Sequence, residues 1–172
     1  MGSVLSENRE PLRGPWSGQP PAGEALASYP DVLKVAQNLG GPKVLREKVF
    51  TVADLERAVG KGLPFAALRY VLRHFPQRQQ TRVQQIVVPR STLQRREEEG
   101  RLRPAESERL ERIVRLATLA EQVWESSEAA QGFLTTPHPM LENEAPIDLA
   151  ATDLGTRRVE TLLWKLEHSL PV

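Results

Sequence analysis

"RLRPAESERLERIVRLATLAEQVW", residues 101–124, decides how the rest of the chain is read. Pro104 suits a first helical turn, where its missing N–H goes unneeded, and Glu106 and Glu108 sit near the positive end of the helix dipole. Leu110, Ile113, Val114, Ala117 and Trp124 line one face at helical spacing, and Leu116, Leu119 and Val123 broaden it. So wide a stripe belongs to a helix covered on more than one side, and the segment is expected at the centre of the fold.

Helical punctuation continues on both sides. Upstream, "YPDVLKVAQNLGG" (29–41) puts Asp31 at a helix start and Gly40-Gly41 at its stop. "TVADLERAVGKG" (51–62) offers Thr51 as N-cap and Gly60 or Gly62 as the end. "LPFAALRYVLRHFP" (63–76) starts with Pro64, stops before Pro76, and buries Leu68, Val71, Leu72 and Phe75. Downstream, Ser126 or Ser127 caps "EAAQGFL", and Pro146 opens the last helical region. Only "QIVVP" (85–89) reads as a strand, and Pro89 limits it. The expected class is all-α.

The 172 residues carry a formal net charge of +1 and contain no cysteine. That balance marks neither a general nucleic-acid binder nor a membrane-surface protein. Disulfides, thiolate metal sites and cysteine nucleophiles are excluded, which suits a reducing compartment. No apolar run approaches the roughly 20 residues of a membrane span, and the N-terminus lacks the charged-then-apolar order of a secretory signal. The expectation is a cytoplasmic protein without membrane contact. Residues 1–28, with "EPLRGPWSGQPPAGEA", read as a flexible arm in which Trp16 is the one docking candidate.

Basic residues cluster in "RQQTRVQQIVVPRSTLQRREEEGR", residues 78–101. Two short helices joined by a tight turn would pack through Val83, Ile86, Val88 and Leu93. Ser91, Gln94 and Arg95 then face outward, flanked by Arg90 and Arg96. This is the arrangement of a helix-turn-helix, with Arg matched to guanine and Gln to adenine edges. Arg82, Arg101 and Arg103 are candidates for phosphate. A solvated helix corner is the competing reading, and Glu97, Glu98 and Glu99 would repel phosphate at its far end.

In the closing "TRRVETLLWKLEHSL" (156–170), Val159, Leu162, Leu163, Leu166 and Leu170 form one apolar stripe. Trp164 lies about 140° from Val159, on the side of Arg157, Thr161 and His168. Either it packs on the arm or the long helix, or that side is left for another molecule. His74, His138 and His168 form no i, i+4 pair, and no Ser-His-Asp order or glycine-rich phosphate loop occurs. No catalytic constellation and no cofactor or metal site is expected.

Two blocks resemble antitoxins of the Xre/MbcA/ParS type. Thr92, Leu93, Arg95, Arg96, Gly100, Arg101, Leu102, Glu106, Ser107, Arg109 and Leu110 carry a "TL-x-RR…GRL…ES-x-RL" signature similar to that family's Xre-like helix-turn-helix. Leu134, Thr136, Pro137, Pro146, Leu149, Thr152, Gly155, Val159, Leu162 and Leu163 resemble its toxin-binding domain. The resemblance implies a helical bundle with an Xre-like helix-turn-helix over 29–125, then a small helical toxin-binding domain over 126–172. It implies a non-catalytic bacterial type II antitoxin that neutralises an NAD-consuming or ADP-ribosylating RES-type toxin and represses its own promoter DNA. A homodimer is expected because operators are usually two-fold and the closing helix offers a self-complementary apolar stripe.

On that reading Thr136, Pro137, Arg157, Thr161, Trp164, Lys165, Glu167 and His168 bind toxin. Arg90, Ser91, Gln94, Arg95, Arg96 and Arg101 bind DNA. The chain departs from the family at Val87 and Pro89, where a small residue and a serine cap are usual, at His138 for Asn, and at Trp164 and Ser169. A dimeric helix-turn-helix regulator without a toxin partner remains the alternative.

Overall fold

The computed structural model describes residues 30–168, and among these it contains ten α-helices, one 3-10 turn and no strand. The all-α expectation holds. The arm assigned to 1–28, Leu170 of the closing stripe and the family departure at Ser169 lie outside the described residues.

The central helix is α7, Pro104–Trp124. Leu110, Ile113, Val114, Leu116 and Ala120 are buried along it, and α1 (Val32–Asn38), α3 (Val52–Lys61), α5 (Gln77–Val87), α8 (Ser127–Thr135) and α10 (Asp153–Glu167) all pack against it. Caps read from the sequence are in place. Asp31 accepts the Leu33 N–H at 2.9 Å, and Thr51 and Asp54 form a reciprocal capping box. Ser126 rather than Ser127 caps α8, and Thr152 caps α10.

The "GLP" (62–64) and "GRL" (100–102) strings meet in space. The Leu102 N–H donates to Leu63 O at 2.8 Å and the Phe65 N–H to Gly100 O at 3.0 Å, joining the link between α3 and α4 (Phe65–Leu72) to the link between α6 (Arg90–Glu99) and α7. Gly62 has φ +87°, and a Cβ there would stand 2.1 Å from Leu102 O, so this crossing admits only glycine. Ser107, fully buried, accepts the Leu63 N–H at 2.8 Å and donates to Arg103 O at 2.9 Å.

The chain then turns back along α7. After α8, the 3-10 turn Pro139–Leu141 and α9 (Pro146–Leu149) lead into α10. Arg112 donates to Ala150 O at 2.9 Å and Ala151 O at 3.0 Å, closing the C-terminal end of α9 onto α7. Arg82 of α5 forms a two-point ion pair with Asp148 of α9. Val159, Leu162 and Leu163 of α10 are buried as their spacing requires, and Leu166 is partly covered.

Candidate functional site

The helix-turn-helix pair is α5 and α6, the latter spanning Arg90–Glu99. "QIVVP" is no strand: α5 runs through Val87, and the connection is Val88 and Pro89 alone. Tertiary packing overrides the β preference of the valines, because Val83, Val87 and Val88 are all fully buried. Val88 is extended (φ −130°, ψ 122°) and Pro89 follows at φ −56°, ψ 142°, so the turn needs no left-handed residue. Gln84 ties the corner by donating to Val88 O at 2.7 Å, and the Thr92 N–H and hydroxyl both donate to Pro89 O. Arg109 of α7 donates to Val87 O at 2.9 Å, satisfying the end of α5. Those bonds explain how the chain dispenses with the small residue and serine cap.

Arg90, Ser91, Gln94 and Arg95 are exposed together along α6. Gln94 donates to Glu98 at 3.0 Å, and Arg95 lies 3.9 Å from Glu99. Glu97 is paired with Arg69. The acidic end of the helix is therefore partly neutralised, by Arg95 on the helix itself and by Arg69 across from it.

Arg96 requires a correction. It is only 2% exposed, and its Nε donates to both carboxylate oxygens of Glu106, at 3.0 and 2.8 Å. Its Nη1 reaches Glu99 at 2.7 Å. The Glu106 carboxylate, with Glu99 behind it, holds the guanidinium above its ordinary pKa despite burial. Arg96 fastens α6 to α7 and has nothing left for a base or phosphate. Its place three residues after Leu93, one turn along the inward face, is the signal that could have revealed this. Among the phosphate candidates, Arg82 is engaged by Asp148, and Arg101 donates to the carbonyls of Lys61 and Gly62 while staying exposed.

At the other end, the predicted tail residues separate into two groups. Trp164, Glu167 and His168 line a groove of about 320 Å³ with Pro30 and Asp31 at the start of α1, Leu119, Gln122 and Val123 of α7, and Glu160 and Leu163 of α10. Trp164 is half-buried, and its indole stacks on the His168 ring with centroids 4.7 Å apart. His168 Nδ1–H donates to Trp164 O at 2.9 Å, finishing the helix. Glu160 pairs with Arg115 at 3.0 Å; burial pushes its carboxyl above the ordinary value and the Arg115 charge opposes that. A carboxyl raised on folding contributes stability as pH falls through its folded pKa and loses it again on the way up.

Arg157, Thr161 and Lys165 lie outside that lining. Arg157 is exposed and pairs with Asp153 at 3.0 Å, and Thr161 donates to Arg157 O at 2.8 Å. Thr136 and Pro137 are exposed beyond α8 and do not join the groove either. Next to them His138 does what an asparagine would do: its Nδ1 accepts the Met140 N–H at 3.2 Å and caps the 3-10 turn.

Sequence reading missed two apolar residues on the outside of this region. Leu154 is 76% exposed at the start of α10, and Met140 is 49% exposed in the 3-10 turn. Arg158 and Glu142, ion-paired at 3.2 Å, tie that turn to α10. The arithmetic that singles out Trp164 applies to Leu154, which lies five residues before Val159 and so also about 140° off the stripe.

Residues 54–115 match the antitoxin Xre-like helix-turn-helix domain, and residues 119–168 match the antitoxin Xre/MbcA/ParS C-terminal toxin-binding domain. The chain belongs to the Xre/MbcA/ParS antitoxin family. Among curated proteins it is similar to "Antitoxin Xre" of Yersinia enterocolitica serotype O:8 / biotype 1B, 34% identical over 82 residues. That match takes in 47% of this chain and 55% of the relative, so the chain spans about half the length of the curated protein it matches. Both family regions meet on α7: one ends at 115, the other begins at 119, and the helix runs through both. Among the described residues no group of His, Cys, Asp and Glu could hold a metal ion, and no helix is long and apolar enough to cross a membrane.

Proposed function

We propose that this Xre/MbcA/ParS family member is a non-catalytic antitoxin that binds and neutralises a toxin through residues from about 134 onward. The observation that carries the reading is Trp164, left half-exposed on α10 inside the region that matches a toxin-binding domain. Tryptophan and arginine predominate at binding hot spots because each covers large area with few rotamers lost. The exposed row Leu154, Arg157 and Thr161, with the Met140 turn beside it, extends the contact. The partner is a RES-type, NAD-consuming or ADP-ribosylating toxin, which the family resemblance implies, within a type II system of the cytoplasm.

The test is co-expression with the product of the adjacent gene, followed by co-purification and a growth assay. A stable complex and restored growth are expected. Trp164→Ala should weaken the complex by about thirtyfold while circular dichroism and the unfolding midpoint stay near wild type. A complex that forms equally well with alanine at 164, or no complex with any neighbour's product, defeats the reading.

Promoter repression is the second part of the proposal, supported by the exposed row Arg90, Ser91, Gln94 and Arg95. The operator-bound form is a homodimer, as two-fold operators require. Affinity for the promoter should fall steeply between about 50 and 200 mM salt, and Arg95→Ala should weaken it. Gel shifts that show no binding, or binding indifferent to salt, would remove this part and leave the toxin reading intact.

A further inference from the structure

The groove beside Trp164 has a consistent chemistry. Its more buried lining residues are apolar, Pro30, Leu119, Val123, Leu163 and Trp164, while Asp31, Glu167 and His168 are exposed. The titratable groups facing it are Asp31, Glu160, Glu167 and His168, and its lining contains no Lys or Arg. Glu160 is already matched by Arg115, and one oxygen of Asp31 accepts the Leu33 N–H. The cations of α10, Arg157, Arg158 and Lys165, are not among its lining residues. An apolar trough with an acidic rim and an aromatic wall suits one kind of occupant. It must carry a long aliphatic stem to cover the apolar lining and a cationic head to meet the rim. Arginine and lysine side chains have that form, and a guanidinium gains further from an indole face and from paired carboxylate oxygens.

We propose that this groove receives an arginine or lysine side chain of the bound partner protein, held by the Trp164 indole and the carboxylates of Glu167 and Asp31. The proposal rests on the antitoxin reading for the partner's identity, and it gives that interface a polarity: the partner presents a basic residue to α10 and α1. Glu167 then governs how fast and how specifically the partner docks, since a charge at the rim of an interface acts mainly on encounter.

Two measurements test it. In the first, the full-length chain is titrated with N-acetyl-L-arginine amide while the Trp164 indole N–H resonance, assigned by its loss in Trp164→Phe, is followed by NMR. The signal should move with the arginine probe at millimolar concentration and much less with N-acetyl-L-norleucine amide, and the response should shrink severalfold in Glu167→Gln. Equal response to both probes indicates a merely apolar trough and overturns the proposal. A signal unmoved by either probe but shifted by deletion of residues 1–29 assigns the groove to this chain's own arm, and also overturns it.

In the second, the co-purified partner is titrated against wild type, Glu167→Gln and Glu167→Lys. Affinity should fall about tenfold for the lysine variant at low salt, and the gap should narrow as salt rises. If Trp164→Ala disrupts the complex but both Glu167 variants bind as wild type, the groove proposal fails while the antitoxin reading survives. If no neighbouring gene product binds, the antitoxin reading fails, and the amide titration still decides the chemistry of the groove.

Discussion

Replacing Glu106 with alanine should destabilise the protein by about 3 kcal/mol or more, the range for removing one partner of a buried ion pair. Glu106 is 7% exposed, accepts both short bonds from Arg96 Nε, and accepts the Arg103 N–H at 2.8 Å at the start of α7. Its loss strands a guanidinium between α6 and α7 and removes the helix's N-terminal acceptor together. Urea denaturation at neutral pH reads the effect. Arg95→Ala, one residue from the buried arginine and exposed, should shift stability by less than about 0.5 kcal/mol. The two variants also separate scaffold from contact. Loss of promoter binding in Glu106→Ala is expected to track unfolding, whereas in Arg95→Ala it is expected with the fold intact. A Glu106→Ala protein within about 1 kcal/mol of wild type would show that the pair does not hold the helix-turn-helix to its support.

The second large effect belongs to Gly155. A methyl group there would stand 2.3 Å from Leu149 O and 2.9 Å from the Thr152 hydroxyl oxygen that caps the same helix. The obstacle is backbone, so α10 must move away from α9. Gly155→Ala is expected to cost about 3 kcal/mol, at the upper end for overpacking, and to shift the whole row from Leu154 to Trp164. Partner affinity should fall by at least about tenfold, since a displaced hot spot is lost much as a truncated one is. Gly132→Ala is the control, because a methyl group at that position of α8 meets nothing within 4 Å. It should gain a few tenths of a kcal/mol from helix propensity. Wild-type partner affinity in Gly155→Ala would mean that the seating of α10 on α9 is irrelevant to recognition.

The two variants also mark what a one-dimensional reading reaches. The long helix was legible because its apolar residues repeat with one period and its ends carry Pro104 and two acids, all local signals. Thr51 and Asp31 follow for the same reason. The buried role of Arg96 was not legible, because spacing says which side of a helix a residue occupies but not which charge waits across from it. Glu106 is ten residues away, on another helix. "QIVVP" looked like a strand because its valines favour extended backbone, and burial against α7 decided otherwise. Trp164 was marked correctly as lying off the apolar stripe, but its half-buried setting depends on Pro30 and Asp31, more than a hundred residues earlier in the chain. The acidic character of the groove arises only when the start of α1, with Asp31, comes beside Glu160 and Glu167 of α10.

One helix underlies both matched regions. Leu116 and Thr118, the residues at the junction between them, are fully buried, and Thr118 accepts a bond from Asn38 of α1 at 3.0 Å. The junction between the matched regions is therefore no seam at which the described residues could be severed into self-sufficient halves. A fragment ending at 117 would lose the Thr118 end of α7, to which Asn38 of its own first helix is bonded, and its complement would keep only the last turns of that helix. Protease nicking within α7 should therefore dissolve both halves at once.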